Sequence, residues 1–539
     1  MNMEFKYVPP GMPSELQSLN LDELCQHYWT HQDCFMTDEY LCTSYFSRFL
    51  AEADLTKHQN AIKCFIHMMN KFIQLSPFNP ILQNVTAQLY NTAENSVKNK
   101  LLAPHNISSD FQSRITHLQQ RGKIQKAHDV ILAELQSSPA SLPLADMLLE
   151  MDISSGLPLE SWLNNFEVPD LFKKDWQHLL ALKHAKYAKF EEALYYWEQI
   201  ADGADMDRDI SCNLMGASYL KTGNKQKAAE LFAKSLAIDP SQTPIKLLKA
   251  ELENPFTIKK DALGDRSIPV CIYSFNKDSF LEMTLHSVCK SSLGKSDIII
   301  LLNGCSDNSQ NVVEKIKSEY PEVSIELIVM PVNIGAPAAR NYLVNRVLTS
   351  RNTEYMAFLD DDVELPADWL ESLVTAIEED PKIGAVGCKV LNPQDSSYQY
   401  LYRNTSIAKP GIIRLSLSTP LHTTDSGLYD VRRDVDTVMG CCHLIRTECF
   451  EKVPGFDIGF SPSQLDDVAF HLDLRLHGYK VRYLGQLSCT HHRSTGFMNA
   501  KMHGFNGNSL GNDVKFYYRF LDSFEKIKSW QDNRNSKLS

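Results

Sequence analysis

The chain has 539 residues, 43% of them hydrophobic and 22% charged, and a formal net charge of -12, enough for about three domains on a prior of roughly 150 residues each. That acidic balance excludes a general affinity for nucleic acid or anionic lipid. No run of about 18 uncharged apolar residues occurs, and "MNMEFKYVPPGMPSELQSLN" lacks the basic start and apolar core of a leader, so neither a transmembrane span nor a signal peptide is expected and the chain reads as cytoplasmic, at most peripheral at the inner membrane face.

Thirteen cysteines without a CxxC pair read as reduced thiols, mostly buried as small hydrophobes, with the neighbours Cys441 and Cys442 serving packing rather than zinc or redox chemistry. The sequons at Asn84, Asn106 and Asn404 read as chance matches, because the chain shows no route to a secretory compartment.

Residues 1–105 are helix-like, with "NAIKCFIHMMNKFIQL" the clearest amphipathic run, and carry no motif. In residues 106–252 a weak repeat appears. Gly216, Tyr219, Gly223, Ala228, Phe232 and Pro240 of "NLMGASYLKTGNKQKAAELFAKSLAIDP" fall at the offsets of a helix-turn-helix unit of about 34 residues. One repeat earlier, Ala193 and Trp197 superpose on Ala228 and Phe232, and Gly122, Ala127 and Pro139 fit a fainter unit. This segment resembles tetratricopeptide repeats, in which small residues let paired helices approach and aromatics fill the seam. An idiosyncratic helical bundle is the plainer reading. The resemblance implies an extended surface for a protein partner, or self-association through the helical domain.

After "NPFTIKKDALGDRS" the pattern changes. Short apolar runs, "IPVCIYSF", "DIIILL", "IELIVM", "YMAFL" and "IGAVGCKVL", alternate with helical stretches starting near Ser279, Asn308, Ala336 and Pro366. Such alternation predicts an α/β domain with a largely parallel sheet covered on both faces. Ligands in such sheets bind beyond the carboxyl ends of the strands, and those ends are polar: Ser274, Asn276 and Lys277 after the first strand, Asn303, Ser306 and Asp307 after the second, Asn333 and Gly335 after the third, Asp360, Asp361 and Asp362 after the fourth. Like charges about 4 Å apart repel by about 1 kcal/mol in water and about 4 at an effective dielectric of 20, so three aspartates at a buried strand end invite a divalent cation, with Mg²⁺ or Mn²⁺ suited to hard oxygen ligands. A solvated turn that caps the next helix is the bland alternative.

"FLDDDVEL" satisfies the DxDx[TV] pattern of haloacid dehalogenase-like phosphatases, with Asp360 as nucleophile and Asp362 as acid/base. That motif ends the first strand of its domain and is followed by a Gly-Asp-x-x-x-Asp loop. This triplet follows the fourth strand and no such loop comes after it, so the phosphatase reading is set aside.

From about residue 268 to 492 the chain resembles the family 2 glycosyltransferases of GT-A fold, the nucleotide-diphospho-sugar transferase fold. The family's opening "PxYNR" appears as Tyr273-Ser274-Phe275-Asn276-Lys277, its "NxGxxxARN" as Asn333 to Asn341 with Arg340, and its DxD as Asp360 to Asp362. The resemblance implies that Asp362 holds a metal bridging the donor diphosphate, that Asp360 lies nearer the nucleoside, and that Asp361 has no assigned role. "GFDIGFSPSQLDDVAFHLDLRLHGYKVRYL" resembles the family's GFDE...EDxDLxxRLxxxGY segment and puts Asp466 and Asp467 at its "ED" pair, with Asp467 as general base. The attack would then proceed with inversion, helped by Arg340 or Lys277 at the leaving diphosphate. "LSCTHHRSTG" matches the strand end where a histidine completes the metal set, His491 or His492, and Gly440 in "TVMGCCHLIR" matches the glycine beside the acceptor. Two departures touch specificity. Leu302 stands where an aspartate commonly meets the donor base, and Ala469 where a third carboxylate often lies.

The segment 501–539 carries "VKFYYRFLDSFEKIKSW", read as a helix packed across the catalytic domain in preference to a basic membrane-surface helix. Together the two resemblances imply an inverting, metal-dependent transferase over 267–500, taking a nucleotide-diphosphate sugar donor and acting on a protein held by the repeats. A surface polysaccharide or lipid-linked glycan is the nearest alternative acceptor. Two rivals are a sugar-nucleotide pyrophosphorylase, opposed by "YSFNKDSF" having no glycine after the first strand, and a repeat scaffold with a dead domain, opposed by retention of Asp360, Asp362 and Asp467.

Overall fold

The computed structural model describes residues 16, 19–52, 55–200, 208–409, 412–415, 423–492 and 505–535. The stretch read for a leader lies mostly outside them. The chain divides into two compact units, 1–28 with 36–245, and 29–35 with 246–539.

The first unit is all helix among its described residues, built largely of sequential helix pairs such as Ile124–Ser137 with Leu142–Ser155, Lys173–Lys186 with Phe190–Gln199, and Asp209–Lys221 with Lys225–Ile238. Ala127, Ala193 and Ala228, at equivalent offsets, are all fully buried, as is Phe232, and Trp197 is nearly so. A Cβ on Gly216 would stand 2.7 Å from the Phe232 ring, so the ring reaches the facing helix only because that position has no side chain. Lys71, in the helix Gln59–Leu75, is buried between Asp209 and Asp239, which join that helix to the last pair.

Buried histidines tie stability to pH. His27, bonded through Nδ1 to the Tyr45 hydroxyl at 2.8 Å, has its pKa lowered to about 4 by burial. His471, in the second unit, is lowered to about 3 by burial and by the Arg340 charge. A depressed histidine leaves the folded state unprotonated while the unfolded chain, with a pKa near 6.5, takes up a proton. Stability therefore falls as pH drops below about 6.5, through the folded values. Between pH 7 and 5 the His27 contribution alone amounts to about 2 kcal/mol. We expect the denaturation midpoint of the helical unit to drop over that window and the drop to shrink in His27→Gln.

The second unit is built on one sheet. Its strands are β1 (Val270–Ser274), β2 (Ile298–Asn303), β3 (Ile325–Met330), β4 (Tyr355–Leu359), β5 (Val363–Glu364), β6 (Ile383–Leu391), β7 (Tyr398–Tyr400), β10 (Arg432–Val435), β11 (Cys442–Arg446) and β12 (Lys480–His491), with β8 (Thr405–Lys409) and β9 (Ile412–Leu415) forming a separate hairpin. The order is β10-β12-β6-β11-β4-β1-β2-β3, with β5 on β12 and β7 on β6. All five strands expected from the apolar runs are present, and the helices Asp278–Cys289, Ser309–Glu319, Ala336–Ser350 and Trp369–Ile377 begin at or near the four sites named for them.

The sheet is mixed rather than largely parallel. β3, β2, β1 and β4 run parallel, but β11 inserts antiparallel between β4 and β6. Parallel neighbours need a crossover, usually a helix. No α-helix lies between β6 and β11 among the described residues, and nothing described in that connection forces a parallel return. Because β11 opposes both neighbours and β12 runs parallel to β6, the carboxyl ends of β1, β2, β4 and β12 emerge on one side. β2 and β4 are buried along their whole length, which is why their sequences are uninterrupted apolar runs.

The C-terminal segment packs inward. Phe516, Phe520 and Ile527 are buried with Phe460, Val468, Ala469 and Leu472, and the Arg475 guanidinium lies 4.0 Å over the Trp530 ring. No helix among the described residues is long and apolar enough to cross a membrane. Twelve of the thirteen cysteines are buried and Cys305 is half-buried.

Candidate active site

The aspartate triplet leaves β4 at the point where β1 and β12 end. Each aspartate meets a different partner. Asp360 receives the Tyr273 hydroxyl at 3.3 Å and Arg340 Nη2 at 3.2 Å through Oδ1. Asp361 is buried and accepts from Lys277 Nζ at 3.0 Å, and Asp362 accepts from the same ammonium at 2.9 Å through Oδ2. Burial pushes the Asp361 carboxyl up to about 6, with Lys277 pulling against it and Asp362 adding to it. Burial acts the same way on Asp362, but His491 and Lys277 outweigh it and hold that carboxyl well below the usual range. Asp361, which the sequence left without a role, thus anchors Lys277 beside Asp362.

The two histidines point to different places because they end a strand. β5 pairs with β12 so that His491 lies opposite Val363, and successive strand residues face opposite sides. His491 Nε2 lies 2.9 Å from Asp362 Oδ1 and 3.9 Å from Asp360 Oδ2, whereas His492 Nε2 faces Glu364 at 2.7 Å.

Gln399 fixes the proton on His491. Its amide nitrogen donates to the His491 carbonyl at 2.8 Å and to Asn392 Oδ1 at 3.1 Å, so its oxygen is the atom 2.6 Å from His491 Nδ1. A carboxamide oxygen only accepts, hence Nδ1 carries the hydrogen and Nε2 offers a lone pair in the neutral ring. That lone pair then faces a carboxylate oxygen at 2.9 Å, which requires a proton or a cation at the point both atoms address. Two ligands at right angles on an ion with bonds of about 2.1 Å are about 3 Å apart. Single ligand atoms of Asp360, Asp362 and His491 lie within 4.8 Å of one another. This donor set, two hard oxygens and an imidazole nitrogen, fits Mn²⁺ or Mg²⁺.

Arg340 joins this group to the acid pair. From the helix Ala336–Ser350, its Nη1 pairs with Asp466 and its Nη2 with Asp360, and the guanidinium sits over Tyr273 at 5.0 Å and Phe456 at 5.5 Å. Burial pulls its pKa down, but Tyr273, Asp466 and Asp360 outweigh that and hold it above the usual value. Burial raises Asp466 against the pull of Arg340.

Asp467 accepts the Gly440 amide at 2.8 Å through Oδ2 and the Val468 amide at 2.8 Å through Oδ1, so both oxygens are fixed as acceptors. A Cβ on Gly440 would stand 2.8 Å from Asp467 Cβ and Oδ2. Gly440→Ala is therefore expected to displace the Asp467 carboxylate and lower turnover by about 10²-fold, with an unchanged unfolding midpoint as the control.

The remaining strand-end residues form the loops beside the triplet. Asn303 donates to Asn333 at 3.0 Å and accepts the Ile334 amide at 3.0 Å, and Asn333 accepts the Gly335 amide at 2.8 Å. Gly335, at φ 82°, starts the Arg340 helix in a conformation that favours glycine. Asn276 Oδ1 accepts the Ser306 amide at 2.8 Å, and Asp307 accepts the Asp278 and Ser309 amides at 3.0 and 3.1 Å. Ser274 ends β1 fully buried. Leu302 points into the hydrophobic core and Ala469 lies in the apolar cluster with Phe516, where a carboxylate would be buried among carbon atoms. Tyr273 and Gln399 were not singled out in the sequence. "YSFN" carried a signal for the first, through its place in the strand-end motif, and "YQY" offered none for the second.

Residues 270–453 match the family model described as Glycosyl transferase family 2. The chain is 30% identical over 164 residues to the O-antigen biosynthesis protein RfbC of Myxococcus xanthus, covering 29% of this chain and 12% of that protein. It is 25% identical over 211 residues to a poly-beta-1,6-N-acetyl-D-glucosamine synthase of Staphylococcus aureus, covering 39% and 46%. The chain thus spans less than half the length of these relatives. Among solved structures it overlaps GalNAc-T7 with UDP, GalNAc and Mn²⁺ (TM-score 0.35, 18% identity, 42% of this chain and 44% of that one). It also overlaps the mannosyltransferase PcManGT from Pyrobaculum calidifontis with GDP-Man and Mn²⁺ (TM-score 0.36, 15% identity, 57% and 84%). The stretch that is similar to the glycosyl transferase family 2 model, residues 270–453, lies within the mixed-sheet unit.

Proposed function

We propose that the second unit is an inverting, metal-dependent glycosyltransferase that moves a sugar from a nucleotide-diphosphate donor to a saccharide acceptor. One observation carries the reading: His491 Nε2 and Asp362 Oδ1 stand 2.9 Å apart, with a ligand atom of Asp360 within 4.8 Å of both, at the end of β4. Asp360, Asp362 and His491 would hold the ion, which when bound supplies positive charge at the donor diphosphate. Lys277 and Arg340 add fixed cations on the same side. Asp467 takes the proton of the acceptor hydroxyl as it attacks the anomeric carbon, and Arg340 keeps Asp466 from repelling it. Asn276, Asn303, Asp307, Asn333 and Gly335 shape the loops of the donor pocket. With Leu302 in the core, recognition of the base falls to these loops.

Similarity to an O-antigen biosynthesis protein and to a poly-beta-1,6-N-acetyl-D-glucosamine synthase favours a saccharide acceptor over a protein one. A polypeptide docked on the helical unit is the second reading. The Gly216–Phe232 seam and the buried alanines at repeat offsets support a tetratricopeptide-like stack over 106–252, a class of surface suited to peptides.

A panel of nucleotide sugars with Mn²⁺ tests the assignment by thermal shift, nucleotide release and the anomeric configuration of the product. We expect one donor family to bind only with metal and to give an inverted product. Retention of configuration, or no metal-dependent response to any nucleotide sugar, overturns it. Saccharide and polypeptide acceptors are separate arms of the same assay.

A further inference from the structure

Two successive non-glycine residues, Gln464 (φ 81°) and Leu465 (φ 67°), adopt the left-handed conformation immediately before Asp466 and Asp467. L-residues with a side chain avoid that region, and a run of two persists only where surrounding structure fixes it. The helix Asp466–Leu476 supplies no help itself, since Leu465 at its N-cap makes no side-chain capping hydrogen bond. The help comes from the C-terminal helix Phe505–Arg519. Asn512, whose side chain is fully buried, donates its amide nitrogen to the carbonyls of Ser463 at 3.0 Å and Gln464 at 3.2 Å. The same helix grips the rest of the loop, where Lys515 donates to the Gly459 carbonyl at 2.8 Å and Arg519 bonds Asp457 at 2.7 Å, and it reaches the helix that follows through Arg519 and Asp473 at 2.5 Å. At its other side the loop is held to the Arg340 helix, where the Pro462 carbonyl accepts the Ala336 amide at 2.8 Å.

We propose that Asn512 is a positioning residue for the acid pair: its amide holds the left-handed turn at Gln464 and Leu465, so that Asp466 reaches Arg340 and Asp467 reaches the Gly440 amide. The chemistry selects asparagine. Two carbonyl oxygens converging on one buried point need a group with two hydrogens on one atom. Leucine matches the shape but donates nothing, aspartate would set a carboxylate against the carbonyls, and glutamine is one methylene too long. Asn512 touches neither donor nor acceptor in this arrangement and acts through the backbone.

This inference rests on the transferase reading for its kinetic consequence, so the test has one arm that needs no substrate. In Asn512→Leu we expect kcat to fall about 10- to 100-fold while Mn²⁺ affinity and donor KM move little, because the triplet and His491 are held by other elements. Adding Gln464→Gly and Leu465→Gly to that variant removes the steric objection to the turn, and most of the lost kcat is expected to return. Hydrogen exchange at the amides of residues 466–470 reads the turn itself: faster in Asn512→Leu, slowed again by the glycines. Asn512→Ser, which keeps one donor and adds no bulk, stands in if the leucine variant does not fold, with a smaller loss in the same direction. Unchanged kcat and exchange in these variants, or a loss that the glycines do not restore, overturns the proposal. Failure of the wild-type chain to turn over any nucleotide sugar while the exchange pattern holds counts against the transferase reading instead.

Discussion

Asp467→Asn is expected to lower transfer by about 10³-fold, within the range a positioned general base contributes, while Mn²⁺ binding stays near the wild-type value. Both Asp467 oxygens accept backbone amides, from Gly440 and Val468, and a carboxylate has lone pairs to spare beyond those two bonds. An asparagine must turn its NH2 group toward one of those donors, so it loses the basic site and one hydrogen bond together. The residues proposed for the metal are held by partners other than Asp467: Tyr273 bonds Asp360, Lys277 bonds Asp362 and Gln399 bonds His491. Two measurements decide the role. Nucleotide release with acceptor present should collapse, and a metal titration should not change. Full transfer by Asp467→Asn removes it as the base, and loss of metal binding alongside transfer would mean that the variant disturbs the site as a whole.

Asp466→Asn is predicted to behave differently, although the sequence presents the two residues as an equivalent pair. Asp466 is buried and paired to Arg340, whereas Asp467 is half-buried and bonded to Gly440. Removing the Asp466 charge leaves Arg340 with Asp360 as its carboxylate partner among the described contacts, and breaking one side of a buried pair costs stability.

Much of this site was legible in the sequence, for a physical reason. A parallel strand buried on both faces must be an apolar run, and the polar residues where it stops are the ones that reach the ligand. "YMAFLDDD" states both halves of that rule in eight letters, and "YSFNK" and "LLNGCSD" repeat it at β1 and β2. What stayed hidden depends on register or on distant segments. The antiparallel entry of β11 left no mark in "CCHLIR", because an apolar strand reads the same in either direction. The choice between His491 and His492 turns on the pairing of β12 with β5, which two adjacent identical letters cannot show. Gln399 and Asn512 come from segments separated from their partners by 92 and 48 or 49 residues, and a lone amide side chain has no periodicity to betray it. In the helical unit Trp197 and Phe232 were visible because each stands at the same offset after a small residue, Ala193 and Ala228.

The metal group carries the second large effect. Asp362→Asn and His491→Ala are each expected to weaken Mn²⁺ binding by about 100-fold or more, and His492→Ala to leave it within about twofold. Gln399→Leu is expected to fall between, at about 10- to 100-fold, the usual cost of losing the partner that orients a ligating histidine. The ordering follows from the hydrogen bonds. Asp362 is the carboxylate that meets His491 through one oxygen and Lys277 through the other, so it sets the spacing of the donor atoms and cannot be replaced by Asp361, whose carboxylate is committed to Lys277. His491 offers Nε2 because Gln399 holds Nδ1, and a leucine at 399 frees the ring to rotate and to protonate on either nitrogen. His492 is engaged by Glu364 on the opposite side of the strand. A titration followed by the Mn²⁺ electron paramagnetic resonance signal measures all four variants without a substrate. Equal loss from the two histidine variants would put both in the coordination sphere, and loss from His492→Ala alone would mean that β12 presents its end in the opposite register.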